Sequence, residues 1–253
     1  MNLLNSLFYR SKYFLENVEA NRTLREIGCT DNLGYSLELV KTMATIKNSG
    51  LQPDALLDIG AHHGKFAGLF NRAFSIKNTL CVEPNEKLFP LINTQLSGYT
   101  SKVLNTALAA EKTTLTYYLH EDDSMNSLVE TDASVLKENF PFDDPSKMKS
   151  RQIETQTLDG VIATELSSFK NIFIKIDTQG NELNILQHGK NGLKNVCGIL
   201  TEHMFLNPYK SDYKFLDLLQ FMNQQGFECI AATSLARRPN HQVSAVDFLF
   251  IRK

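Results

Sequence analysis

A glycine-containing turn near residue 60 carries the strongest chemical signal in this sequence. Residues 58–64 are Asp-Ile-Gly-Ala-His-His-Gly, between a short apolar run and a helical pattern. Gly60 permits close approach of a ligand to the backbone, and Gly64 lets the helix pack closely on the strand. Doubly wound sheets bind nucleotide-like ligands at such a turn. Because Asp58 would repel a pyrophosphate, the turn favours a cationic ligand, contacted directly or through water.

A second carboxylate follows the next apolar run. Glu83, which precedes Pro84, stands where a carboxylate accepts hydrogen bonds from both hydroxyls of a ribose. The alternative is an ordinary surface residue at a strand end. A positively charged adenosine without pyrophosphate satisfies Asp58 and Glu83 together, and S-adenosylmethionine is the obvious candidate. NAD is the rival ligand, since Glu83 equally suits its ribose.

A third carboxylate lies in the segment Ile-Lys-Ile-Asp-Thr-Gln-Gly-Asn-Glu at 174–182. An apolar strand delivers Asp177 to its C-terminal end, which is the functional edge of a parallel sheet. Asp177 is therefore a ligand-binding residue or, alternatively, a helix cap. Glu182 begins the following helix, where its charge suits the helix dipole, and we expect it to be structural.

The polar pair Glu202 and His203 follows another apolar run, close to where Asp177 should emerge. The pair is either catalytic or a stretch of loop with ordinary hydrogen bonds. The histidines and cysteines show no HxH, HxxxH, HExxH or CxxC spacing, so we expect no metal site. These residues are His62, His63, His120, His188, His203, His241, Cys29, Cys81, Cys197 and Cys229.

Continuous apolar runs predict the elements that position these residues. Such runs suit parallel strands covered on both faces, and helical patterns lie between them, which favours a doubly wound α/β sheet. The predicted strands are 55–60, 78–83, 103–109, 172–176 and 196–201, and the predicted helices are 64–74, one from 84, 181–188 and 211–225, the last capped by Ser211 or Asp212. No helix separates strands 227–232 and 245–251, which predicts an antiparallel pair.

The remaining segments predict additions to this sheet. We expect residues 1–50 to be an N-terminal helical extension, residues 51–253 the main domain, and approximately 111–170 an inserted β-hairpin and loop region. Residues 3–18 have apolar residues at helical spacing, including Leu15 and Val18. Their default surface is the chain's own domain, and weak peripheral membrane contact is the alternative.

Composition excludes several classes of protein. The 253 residues are 42% hydrophobic, so global disorder is not expected. Lys plus Arg total 26 against 28 Asp plus Glu, which supplies no broad field for nucleic acid. No apolar run approaches the ~20 residues that span a bilayer, and the N-terminus is a poor signal peptide. We therefore expect a cytoplasmic protein without a nucleic-acid partner.

Together, these segments resemble the FkbM family of S-adenosylmethionine-dependent methyltransferases over roughly residues 54–253. The shared pieces are the turn at 58–64, Glu83-Pro84, Thr157-Leu158-Asp159, the block 175–182 with Leu186 and Gly189, and residues 246–252. Three positions depart from the family pattern: His62 replaces an Asn, Gln179 replaces a Glu found in many relatives, and Asn126 replaces a Ser.

The resemblance implies a class I methyltransferase fold, a Rossmann-like sheet of seven strands with the last antiparallel. It implies S-adenosylmethionine as cofactor and O-methylation of a sugar or polyketide hydroxyl. The cofactor contacts that we expect are Asp58, Gly60, Ala61, His62, Gly64, Glu83, Pro84, Asn126, Ser127 and Asp177.

A hydroxyl acceptor gains from a general base, and the candidates are His203, Asp177 and Glu202. We favour His203, because its ordinary pKa of ~6.5 suits proton transfer near neutrality, with Asp177 orienting cofactor or acceptor. Two other functions stay open: an NAD(P)-dependent oxidoreductase, which Asp58 opposes, and a non-catalytic ligand-binding scaffold. The sequence does not indicate the acceptor or the oligomeric state.

Overall fold

A seven-stranded sheet forms the centre of the computed structural model. The structure describes residues 3–30, 34–76, 78–238 and 241–253, and it describes side chains from residue 12 onward. The strands in chain order are β1 (Ala55–Ile59), β2 (Asn78–Val82), β3 (Thr100–Leu104), β4 (Ala107–Leu108), β5 (Thr114–Leu119), β6 (Lys149–Gln156), β7 (Ile172–Ile176), β8 (Val196–Met204), β9 (Phe227–Arg237) and β10 (Val243–Arg252). The central sheet has the order β3-β2-β1-β7-β8-β10-β9, and a smaller sheet has the order β4-β6-β5.

The order of the central sheet reverses at β1. This strand pairs in parallel with β2 on one side and with β7 on the other, so that Leu57 lies between Leu80 and Ile174. All of its residues are buried, as its apolar sequence predicts. Ligands of doubly wound sheets bind at such a reversal, beyond the C-terminal ends of the strands. The predicted α/β class is confirmed.

The last strand in the chain lies inside the sheet. β10 is antiparallel to β8 and to β9, with Leu249 opposite Leu200 on one side and Ala231 on the other. The predicted antiparallel pairing of the final two strands is confirmed, as are the seven strands and the class I topology.

The predicted third strand was partly wrong. It was expected at 103–109, but β3 ends at Leu104 and the chain then leaves the central sheet. Thr106 Oγ1 donates a hydrogen bond to the carbonyl oxygen of Glu154 at 2.8 Å. Ala107 and Leu108 consequently pair with β6 in the smaller sheet. The segment predicted as one strand thus contributes to two sheets.

Helices cover both faces of the central sheet. The helices in chain order are α1 (Leu3–Glu26), α2 (Leu37–Asn48), α3 (Lys65–Phe74), α4 (Phe89–Gln95), α5 (Ala133–Asn139), α6 (Leu158–Glu165), α7 (Glu182–Gln187) and α8 (Phe215–Gln224). Successive strand residues point to opposite faces. Phe173 therefore packs with Met43 of α2 and Phe70 of α3 in one apolar cluster, whereas Ile174 joins Leu218 of α8 in the other.

The beginning of α8 differs from the prediction. The helix begins at Phe215, and neither Ser211 nor Asp212 caps it. The carboxylate of Asp217 accepts the backbone N–H of Lys214 at 2.7 Å, which closes the first turn instead. The predicted end of this helix, followed by Gly226, agrees with the structure.

The first helix is longer than predicted and buries a different face. α1 extends to Glu26, and its buried residues include Ala20 and Leu24 near its C-terminal end. Leu15 and Val18 are 65% and 50% exposed, so the expectation that they cover the chain's own domain is wrong. Leu4, Leu7 and Phe8 lie outside the described side chains. Within the described residues, every helix is too short or too polar to cross a membrane.

The inserted region is built around an antiparallel pair of strands, as predicted. β5 runs antiparallel to β6, with Leu115 opposite Ile153. Helix α6, which lies within the predicted boundaries of the insertion, packs into the main core through Leu158 and Val161. The segment that covers the sheet edge therefore ends before α6. The division into an extension at 1–50 and a domain at 51–253 stays a prediction.

Candidate functional site

Glycine is required at two positions of the turn after β1. Gly60 has φ +75°, and a Cβ there would lie 1.9 Å from the carbonyl oxygen of Asp177. The ends of β1 and β7 can therefore meet only at a glycine. Gly64 has φ +72°, and its Cβ would lie 2.9 Å from the Cα of Ile92. Gly64 thus permits close packing on α4, where a close contact with the strand was expected.

Glu83 is held rigidly by the backbone. Its two carboxylate oxygens accept the N–H groups of His62 at 2.9 Å and of Asn85 at 2.8 Å. Burial raises the pKa of Glu83, and these two hydrogen bonds act against the rise. A carboxylate offers about four acceptor positions, so about two stay free for a ribose diol. The predicted ribose contact is sterically and chemically available.

His62 occupies a strained position in this turn. Its φ of 48° lies in the left-handed region, which asparagine adopts more readily than histidine does. Its ring Nε2 lies 2.8 Å from Oδ1 of Asp123 in the inserted region. His62 therefore connects the turn with the segment that covers it.

The turn and the inserted region enclose a first cavity of about 320 Å³. Gly60, Glu83, Pro84 and Asp177 form the sheet side of this cavity. The inserted region supplies Tyr117, Met125, Asn126, Ser127, Leu128, Phe140 and Phe142. The predicted positions of Asn126 and Ser127 next to a ligand-sized space agree with the structure. Apolar walls with a few fixed polar groups are typical of cofactor sites.

A second cavity of about 390 Å³ adjoins the first. His62, Asp177 and Glu202 line both cavities, so they mark the junction between them. The second cavity also has polar walls from α2, β9 and β10, through Glu38, Thr42, Ser234 and Asp247, and Ala61 lines this cavity instead of the first.

A lysine that the sequence argument left without a role lies beneath the turn. Lys175 Nζ donates a hydrogen bond to the carbonyl oxygen of Gly60 at 2.8 Å and lies 3.6 Å from Asp58 and 3.4 Å from Asp177. Burial lowers the pKa of Lys175, but the carboxylates of Asp177, Asp58 and Asp247 outweigh burial and raise it overall. A lysine inside the apolar run 172–176 is the signal that reveals such a residue.

Asp58 does not line either cavity, contrary to the predicted direct or water-mediated contact with a cationic ligand. Its side chain is fully buried, and neither carboxylate oxygen has a hydrogen-bond partner among the described residues. Burial raises the pKa of Asp58 to about 6, against the opposing effect of Lys175. The cation next to Asp58 is therefore Lys175. Asp58 would influence a ligand through the Lys175 ammonium and not by direct contact.

Carboxylates are concentrated on three neighbouring strands at the sheet edge. Glu202 of β8 lies directly opposite Asp247 of β10, and Asp177 follows β7. Burial and the charges of Asp177 and Asp247 raise the pKa of Glu202 well above its ordinary value. Burial and Asp177 raise the pKa of Asp247 to about 7. Like charges directly opposite each other on paired strands are unfavourable. Clusters of carboxyl groups with raised pKa values are typical of functional sites.

His203 lies away from the cavities, which removes its geometric support as a base. Glu202 and His203 belong to β8 and do not follow it, so their side chains point to opposite faces. The His203 ring packs 4.9 Å from the ring centre of Phe205 and 5.3 Å from that of Phe215. Burial lowers its pKa. Glu202 and Asp177 are the two candidates that reach the cavity junction.

His62, His63 and Asp123 come together at the cavity mouth. Their potential metal-ligand atoms lie within 4.8 Å of one another. Sequence spacing missed this group, because Asp123 is distant in the chain from the two histidines. The expectation of no metal stays a prediction.

Comparison with known proteins decides the family. The model of the FkbM methyltransferase domain matches residues 58–229, which is more than half of the chain. The chain belongs to the FkbM methyltransferase family. This FkbM methyltransferase is an enzyme that uses S-adenosylmethionine. Its membership of the family decides against the alternative of an NAD(P)-dependent oxidoreductase. No curated protein matches the chain in sequence.

Solved structures provide further, more distant likenesses. An FkbM methyltransferase from Methylobacillus flagellatus has 13% identity and a TM-score of 0.48, covering 92% of this chain and 58% of that one. A putative tRNA (m1A22) methyltransferase from Streptococcus pneumoniae, solved with S-adenosylmethionine, has 14% identity and a TM-score of 0.44, covering 84% and 72%. At this distance they assign no function, and the family rests on the domain match.

The first cavity fits S-adenosylmethionine. The free acceptor positions of Glu83 suit the ribose hydroxyls, and the apolar residues around Tyr117 and Leu128 suit the adenine ring. Gly60 and Asp177, which also line this cavity, would adjoin the remaining chain of the cofactor. Of the predicted contacts, Gly60, His62, Glu83, Pro84, Asn126, Ser127 and Asp177 line this cavity, whereas Asp58, Ala61 and Gly64 do not.

Proposed function

We propose that this FkbM methyltransferase methylates a hydroxyl oxygen of a sugar, a glycan or a related natural product. The observation that supports the proposal is the junction of the two cavities at Asp177 and Glu202. The first cavity suits the cofactor, and the second has room for an acceptor. Carboxylates and the hydroxyls of Thr42 and Ser234 in its wall suit an acceptor rich in hydroxyl groups.

S-adenosylmethionine supplies a methyl group already activated by a sulfonium and departs as a neutral thioether. The protein must therefore hold the acceptor and receive the proton that its hydroxyl loses. We assign that proton to Asp177, whose side chain is 36% exposed at the junction and lies 3.4 Å from Lys175. Glu202 is less available to accept a proton at neutral pH, because its raised pKa favours the form that is already protonated.

The charge of the molecule also supports a small acceptor. A net charge of −2 and a carboxylate-rich second cavity disfavour a polyanion such as nucleic acid. The cytoplasmic location expected from the sequence remains part of this proposal.

The test incubates the purified protein with S-adenosylmethionine and a panel of sugars, glycans, polyketides and amines, and records methyl transfer by mass spectrometry. Asp177→Asn is expected to lower turnover on an active hydroxyl acceptor by ~100- to 10,000-fold. His203→Leu serves as the matched control and is expected to retain turnover within about threefold, because His203 lies on the opposite face. Transfer restricted to amines, or a larger loss in His203→Leu than in Asp177→Asn, would overturn the proposal.

A further inference from the structure

The amide of Gln179 lies between the two acids at the cavity junction. Its Nε2 donates a hydrogen bond to Oδ1 of Asp177 at 2.6 Å and lies 3.4 Å from Oε2 of Glu202. An amide nitrogen carries two hydrogens, so one group can address both carboxylates. Gln179 itself lines the first cavity.

Tyr209 contacts the other end of this amide. Because the amide nitrogen donates to Asp177, Oε1 faces the buried Tyr209 hydroxyl at 3.1 Å. The same hydroxyl lies 2.9 Å from the carbonyl oxygen of Met125, and its single hydrogen is shared between these two acceptors. Tyr209 thus connects the amide with the inserted region.

The backbone of Gln179 is held in an unfavourable conformation. Its φ of 58° is left-handed, and Gly180 follows at φ 98°. The carbonyl oxygen of Gln179 accepts the hydroxyl of Ser127 at 2.7 Å. A strained residue persists where its surroundings over-determine it, and such residues cluster at functional sites. The contact of Ser127 with the backbone and that of Tyr209 with the side chain thus hold the amide next to Asp177.

The donor matters because acids outnumber cations around Asp177. The charged and titratable groups around it are Lys175 from its own strand, Asp58 from β1, Glu202 from β8, Asp247 from β10, Glu182 from α7, and Tyr209. The hydrogen bond from the amide holds the Asp177 side chain in place against their repulsion. Without the amide, that repulsion would turn the side chain away from the junction.

We propose that Gln179 is a positioning residue that keeps the Asp177 carboxylate aimed at the junction, and thereby makes the site prefer the cationic cofactor over its neutral demethylated product. The inference rests on the proposed placement of the cofactor in the first cavity. Gln179 would act through Asp177, whose negative charge attracts the sulfonium of the cofactor. The demethylated product lacks this attraction, because the sulfonium charge disappears when the methyl group is transferred.

The test compares the wild type with Gln179→Met, which keeps a similar length and removes the donor. Calorimetry measures the affinities for S-adenosylmethionine and S-adenosylhomocysteine. Relative to the wild type, the variant is expected to lose about tenfold in S-adenosylmethionine affinity, because the carboxylate of Asp177 is no longer held toward the sulfonium. Its affinity for S-adenosylhomocysteine should match that of the wild type.

Gln187→Met is the matched control, because Gln187 is exposed at the end of α7. Tyr209→Phe, which releases the amide, should shift the ligand preference in the same direction as Gln179→Met, and it tests the inference independently if Gln179→Met fails to fold. An equal loss for both ligands, or no loss, would overturn the positioning role. Failure of the wild type to bind S-adenosylmethionine would instead refute the cofactor placement itself.

Discussion

The ammonium of Lys175 donates a 2.8 Å hydrogen bond to the carbonyl oxygen of Gly60, so a largely buried charge supports the turn that lines the first cavity. The same ammonium is the nearest cation to the fully buried Asp58. Asp58, Asp177 and Lys175 therefore form one unit. Removal of the lysine would leave the buried negative charge of Asp58 without compensation.

Lys175→Met is expected to lower the free energy of unfolding by about 3–5 kcal/mol, because it removes one partner of a buried ion pair. Urea denaturation at neutral pH measures this loss. The double variant Lys175→Met with Asp58→Asn should recover part of it. Lys102→Met is the control, since Lys102 is exposed and its pair with Glu165 should contribute at most about 1 kcal/mol. Equal losses at the two lysines would contradict the prediction.

Asp247 is expected to make stability depend on pH. Its pKa in the folded protein is raised to about 7, so the folded state holds a proton that the unfolded chain releases. The resulting stabilisation is complete below the unfolded pKa of about 3.9 and is lost as the pH rises through about 7. Asp247→Asn should therefore be more stable than the wild type at about pH 8, with little difference at about pH 4.

Urea midpoints measured across this pH range test the expectation for Asp247. Asp212→Asn provides the control, because Asp212 is exposed and lies outside the carboxylate row. A constant difference between Asp247→Asn and the wild type at every pH would mean that Asp247 does not titrate as inferred.

Glu83→Gln is expected to weaken S-adenosylmethionine binding by at least about tenfold. The amide loses the charge and presents an NH₂ group to one of two backbone donors, at a cost of about 1.5–3 kcal/mol. Calorimetry measures the affinity, with Glu86→Gln as the exposed control in the next turn. Unchanged affinity in Glu83→Gln would remove Glu83 from the ribose, and tight NAD binding by the wild type would dispute the cofactor site.

Dialysis against EDTA is expected to leave S-adenosylmethionine affinity unchanged. His62 Nε2 is already hydrogen-bonded to Asp123 at 2.8 Å, so an ion would have to displace that contact. Calorimetry before and after dialysis, followed by addition of Zn²⁺, measures the effect. Tighter binding with Zn²⁺ in the wild type but not in His63→Gln would show that the cluster binds metal and that the prediction is wrong.

The sequence predicted those parts of the fold and site that depend on local pattern. Continuous apolar runs located β1, β2 and β7, and the absence of a helix between β9 and β10 predicted their antiparallel pairing. Glu83 was identifiable as a cavity residue because it directly follows a strand, where such sheets bind their ligands.

Parts that depend on exact strand boundaries or distant contacts were not predictable in this way. A strand that continued through Glu202 and His203 turned the histidine to the opposite face, because side chains alternate. Asp58 met Lys175, whose position inside an apolar strand was visible but whose partners depend on sheet register. Asp123 reached His62 from the inserted region, and no local spacing connects them.

The position of β10 has a consequence for synthesis of the chain. A ribosome makes β9 before β10, yet β10 lies between β8 and β9 in the finished sheet. β9 therefore has no strand to pair with until residues 243–252 emerge, and the edge of β8 stays open for the same period. Exposed strand edges promote aggregation, so a nascent chain paused before Val243 would be more vulnerable than one paused after Arg252.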